Sequence, residues 1–107
     1  MKFMPEKSKT VRIGPFDYEY KEINTFMSCG VVGECSFHTL EITVLESLPK
    51  GKKLEALIHE IVEGINEHNE LNLDHHVIQT VSNNLTQVLL DNDIYSLVGL
   101  GKVKRAE

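Results

Sequence analysis

The hydrophobic pattern of this chain of 107 residues changes its period once, at Pro49-Lys50-Gly51. Before that point β-branched and aromatic residues alternate with polar ones; after it, apolar residues recur every three or four positions. A period of two puts successive side chains on opposite faces of a strand, and a period near 3.6 puts them on one side of a helix. Strands gathered in one half and helices in the other cannot make repeated βαβ units. The expected fold is therefore α+β, with a small antiparallel sheet within residues 10–45 packed on two main helices.

The residues fill in this outline. Thr10 to Ile13 and Phe16 to Ile23 predict two strands meeting at Gly14-Pro15, and Asn24 to Gly33 predicts a loop. Glu34 to Leu45 predicts a hairpin turning near His38-Thr39, with Leu40, Ile42 and Val44 as the apolar face of its second strand. Leu54, Leu57, Ile58, Ile61, Val62 and Ile65 predict a first helix running to about Asn69. Asp74 is placed to cap a second helix, whose expected buried stripe is Ile78, Val81, Leu85, Val88 and Leu89. A short apolar piece, Ile94 to Leu100, is broken by Gly99 and followed by Gly101.

Size and charge narrow the function. At this length the expectation is a single soluble domain, residues 1–107, whose site must be built from the core elements themselves. With 11 Lys and Arg against 16 Asp and Glu, the net charge of -5 argues against a phosphate-neutralising nucleic-acid binder. The one basic cluster, Lys102, Lys104 and Arg105, is a terminal tail. No apolar run is long enough to span a membrane, and MKFMPEKSKT lacks the apolar centre of a secretory signal, so a cytoplasmic location is expected. Cys29 and Cys35 then read as free thiols.

One string carries chemistry. His59-Glu60-Ile61-Val62-Glu63 places an imidazole and a carboxylate one helical turn apart, about 40° round the axis, so both can converge on one ion. The three polar residues fall opposite the apolar stripe, so a plain solvated helix face is the competing reading. A catalytic zinc takes three protein ligands and an open position. His75 and His76 begin the second helix; about 90° and about 170° from the centre of its expected stripe, only His75 can turn inward. If the helices pack antiparallel, His75 approaches the His59/Glu63 edge.

The run LIHEIVEGIN followed by ELNLDHHVIQTVSNNLTQVLLDN resembles the small zincin-like metallopeptidases of phages and prophages, distant relatives of the ImmA/IrrE type. TVRIGPFDYEY and the hairpin GECSFHTLEITV precede it in the order that family has, so the resemblance covers most of the chain and implies a minimal zincin-like domain. It implies His59 as first metal ligand and Glu60 as general base, with Glu63 where the usual string has its second His and His75 where relatives have an acidic third ligand. The paired exchange keeps two imidazoles and one carboxylate, a set that suits one zinc ion and that iron, manganese or nickel also accepts.

The activity so implied is hydrolysis of peptide bonds through a metal-bound water, with Glu60 moving the proton and a peptide or protein as substrate. A non-catalytic interaction or structural module of the same fold, with or without a structural metal, is the alternative. Leu40 to Leu45 is the expected substrate-pairing edge strand, and Tyr18, Tyr20 and Tyr95 are candidate oxyanion donors. Asn66 lies on the site-facing flank of the first helix, where it reads equally as a partner that orients a ligand or as an ordinary surface residue, while His38 and His68 need no metal role. No phosphate loop and no Ser/His/Asp or Cys/His grouping stands in the sequence.

Overall fold

The computed structural model describes residues 9–101, so the basic tail Lys102, Lys104 and Arg105 and most of MKFMPEKSKT lie outside the described residues. The α+β class holds: four strands, β1 (Thr10–Ile13), β2 (Phe16–Ile23), β3 (Gly33–Ser36) and β4 (Glu41–Leu45), precede α1 (Lys50–His68), α2 (His75–Asp91) and the single turn α3 (Ile94–Leu97). The sheet order is β1-β2-β4-β3.

One expectation about the sheet is corrected. β1–β2 and β3–β4 pair antiparallel, but β2 and β4 run parallel, Glu19 opposite Glu41 through Ile23 opposite Leu45, so the sheet is mixed. The reason lies in the two strands of the β3–β4 hairpin. Ile42 and Val44 of β4 are fully buried, whereas Gly-Glu-Cys-Ser of β3 has little apolar surface to hide. Docking β4 on β2 covers the apolar strand from both sides and leaves the polar strand at the edge. The loop between β2 and β3 carries the chain out to that edge, and the parallel pairing follows. The substrate-edge expectation for Leu40 to Leu45 therefore fails: β4 is internal, and β3 is the edge strand beside α1.

The core lies between sheet and α1. Ile13, Tyr18, Ile42, Val44 and Ala56 form it, with Leu57 and Ile61 of α1 packed against it. Each fully buried aliphatic chain there is worth about 1.5–3 kcal/mol of transfer free energy. Gly64 lets α1 settle onto β1, since a Cβ there would stand 2.9 Å from Ile13 Cδ1. Lys53 adds an ion pair to Glu22 of β2 at 2.9 Å.

α2 then packs on the other side of α1, with Gly51 of α1 meeting Leu90 near the far end of α2. Here the expected stripe is corrected as well. Ile78, Ser82 and Thr86 are the buried residues of α2, while Val81, Leu85, Val88 and Leu89 are exposed. The hydroxyls of Ser82 and Thr86 donate to the carbonyls of Ile78 and Ser82, both at 2.7 Å, so these small polar residues enter the interface already satisfied. Relative to the expected orientation the helix is rolled toward His75.

The connection between the helices is tightly made. Leu71 N–H donates to the Asn66 carbonyl at 3.1 Å and Glu70 N–H to the Glu67 carbonyl at 3.3 Å, which is the paired bonding of a Schellman cap. Glu70 occupies the left-handed position, φ 51°, where glycine is usual. Asp74 caps α2 as expected, its carboxylate accepting from Val77 N–H at 3.0 Å.

Candidate metal centre

His59 and Glu63 are on α1 because the HExxE string lies within its unbroken helical run, and they face the same flank one turn apart. His59 Nε2 and Glu63 Oε2 are 3.4 Å apart, close to the about 3.3 Å between two ligands of a tetrahedral zinc. His75, at the first turn of α2, brings its ring to 5.3 Å from that of His59, centroid to centroid. One ligand atom from each of the three residues falls within 4.8 Å of the other two. His76, its neighbour, is exposed and has no place in this group.

The connection accounts for the placement of His75. The Asn66 side-chain carbonyl accepts from Leu73 N–H at 2.9 Å, drawing the chain back along the last turn of α1 before α2 begins. Two residues later His75 stands beside the His59/Glu63 flank. Asn66 thus serves the site through the backbone, not by orienting a ligand as its position on the flank suggested.

Glu60 departs furthest from the solvated-face reading. It is only 8% exposed, held between α1 and the edge strand, and a Cβ on Gly33 of β3 would be 3.1 Å from its Oε2. Burial, with the nearby carboxylates of Glu63 and Glu34, raises its pKa to about 7. The same negative field reaches Cys35, whose thiol is pushed up to about 12 by burial and by Glu60, Glu63 and Glu67. A thiol so held is neither a nucleophile nor a ready metal ligand. The field is one that a cation relieves.

A cleft of about 590 Å³ opens onto this group, lined by His59, Glu60, His75 and Gln79 on the helices and by Val32 and Gly33 at the approach to β3. The three tyrosines stay away from it. Tyr18 is fully buried and hydrogen-bonds His68 through its hydroxyl, Tyr20 donates to Glu22 at 2.7 Å, and Tyr95 sits exposed on α3. None of the three lines the cleft. His68 stacks on Phe16 with ring centroids 4.5 Å apart, a packing role at the end of α1. His38 is exposed in the β3–β4 turn, and Cys29 and Cys35 are free.

Sequence reasoning did not find Gly33 or the β3 edge as parts of the site. The available signal was the polarity of Gly-Glu-Cys-Ser beside the apolar Ile-Thr-Val, which marks the outer strand of the hairpin. Among the described residues no helix is long and apolar enough to cross a membrane. No family model, curated protein or solved structure matches this chain.

Proposed function

We propose that the chain is a zinc-dependent metallopeptidase, with His59, Glu63 and His75 holding one ion and Glu60 as the general base. The observation that carries this reading is the convergence of two imidazoles and one carboxylate next to a buried carboxylate that is not one of the three. The donor set fits zinc: three protein atoms of the right types leave an open position, whereas a structural zinc is closed by four. A bound zinc supplies Lewis-acid polarisation of a carbonyl and acidifies a water it holds.

The protein's own groups do the rest. Glu60, with a pKa near 7 in the metal-free chain, is suited to take a proton from the attacking water and pass it to the departing amine. The unpaired side of β3 offers main-chain donors and acceptors to an extended peptide, and Gly33 keeps side-chain bulk away from Glu60 where that peptide would pass. The substrate is therefore proposed to be a peptide or protein segment in extended form. With it goes a proposed kinship to the phage and prophage zincin-like peptidases and a proposed cytoplasmic site of action.

The alternative, a non-catalytic interaction or structural module with or without a structural metal, is favoured by one observation: no tyrosine reaches the cleft to stabilise an oxyanion. A paired experiment separates the two. Zinc content after chelation and reloading is expected to be one ion per chain in the wild type and to be lost in Glu63→Ala and His75→Ala. Hydrolysis of a quenched peptide library by the zinc-loaded protein, abolished in Glu60→Gln with zinc content kept, supports the peptidase. Stoichiometric zinc with no hydrolysis supports a module with a structural metal, and no zinc in the wild type refutes the peptidase and leaves a metal-free interaction module.

A further inference from the structure

α2 presents two neighbouring faces, and among the described residues only one is packed against another element. Ile78, Ser82 and Thr86 pack inward, while Val77, Val81, Leu85, Val88 and Leu89 each leave between 38% and 45% of their surface open. α3 follows after only Asn92 and Asp93, and the stretch through it adds further open apolar residues, with Tyr95, Leu97, Val98 and Leu100 all more than half exposed. A run of this kind on a surface helix marks an interface rather than scattered exposure.

The charge pattern says what the interface accepts. From His75 to Leu90 there is no Asp, Glu, Lys or Arg, in a chain where such residues make up 25%. Elsewhere the surface carries both signs with acidic residues in excess, and a net charge of -5 on each copy opposes self-association through charged faces. A charge-free apolar stripe has nothing to repel its own copy, and depletion of charge is the mark of an interface centre. The area is also adequate if both contribute: the open apolar residues of α2 and of the stretch from Tyr95 to Leu100 sum to roughly 800 Å², about what each partner contributes to a stable interface of standard size.

We infer that α2 and α3 form the interface of a homodimer, two copies of α2 meeting about a two-fold axis through the Val81–Leu85–Val88 stripe. Such an isologous contact is closed, so assembly stops at two. The centre of that stripe lies about 110° round the helix from His75 and about 150° from Gln79, so the dimer leaves the cleft of both copies open. The inference is independent of whether the centre binds zinc or cleaves peptides.

Sedimentation equilibrium on the full chain, from low to high micromolar concentration, tests it. The expected mass approaches twice 12.1 kDa for the wild type. Val81→Glu and Leu85→Glu are expected to weaken association by at least about 100-fold, since each buries two unpaired carboxylates per dimer. Both positions are exposed in the single copy, so far-UV circular dichroism is expected to be unchanged. His76→Glu adds the same charge on a face of α2 turned away from the stripe and is expected to leave the dimer intact. A wild type that stays monomeric throughout overturns the inference and leaves the face to a partner of different sequence. So does a dimer that survives both stripe variants, or one that His76→Glu disrupts equally.

Discussion

α1 and α2 are both amphipathic and similar in length, yet their polar and apolar residues meet opposite fates. α1 lies between the sheet and α2, and being covered on two sides it buries Glu60 and half-buries His59 and Glu63. α2 is the outer layer, and with one side covered it buries a narrow row, Ile78, Ser82 and Thr86, and leaves a whole apolar stripe outside. Hydrophobic periodicity counts the apolar faces of a helix; it does not count how many faces will be covered. Where a helix is central, polar residues are forced inward and acquire altered chemistry. Where it is peripheral, the surplus apolar face is left for another molecule.

Removing the anchor of the outer layer has the largest expected effect on this contrast. Ile78 is the one fully buried aliphatic residue of α2, and Ile78→Ala is expected to destabilise by about 2–4 kcal/mol. Hydrogen exchange should show α2 amides losing protection while the sheet and α1 keep theirs, and urea unfolding gives the magnitude. A loss below about 1 kcal/mol would mean that α2 is held by something other than this row.

The polar side of the contrast predicts an effect of comparable or smaller size, with a definite sign. In the metal-free chain the Glu60 carboxyl titrates near 7, above its ordinary value of 4.5. The folded state therefore binds more protons than the unfolded state between those pH values, and stability contributed by the protonated group is lost as pH rises through that window. The difference is on the order of 2–3 kcal/mol by pH 8. Glu60→Gln removes the penalty, so its melting temperature should match the wild type's near pH 4 and exceed it at pH 8. Parallel pH profiles for the two proteins would show that Glu60 is not held in a desolvated site.

How much of this was open to sequence reading depends on whether the deciding interaction was local. The strand residues Thr10–Ile13 and Phe16–Ile23, the Asp74 cap and the common flank of His59 and Glu63 are local patterns, and all were legible. The roll of α2 was not, because Ser82 and Thr86 become acceptable buried residues only through their bonds to the Ile78 and Ser82 carbonyls. Nor was the parallel β2–β4 pairing, which depends on comparing two strands for one central place. Glu60 read as a surface residue because it is covered by the edge strand of the sheet, remote in sequence, at Gly33.

The Schellman cap is a smaller case of the same limit. Glycine normally announces it, and here Glu70 holds the left-handed position at φ 51°. Glu70→Gly, at an exposed site, is expected to raise stability by about 0.5–1 kcal/mol by relieving that strain. Thermal unfolding measures it. A decrease would show that the connection carrying His75 back to α1 is not set by this cap.

The central claim is that α1 and α2 together hold one ion. X-ray absorption at the zinc edge, on zinc-loaded wild type and His75→Ala after desalting, tests it most directly. The account predicts a low-coordinate zinc with two imidazoles and one carboxylate in the wild type and at most one imidazole, or no retained zinc, in the variant. A wild type that retains no zinc, or whose zinc shell is unchanged by His75→Ala, would contradict it.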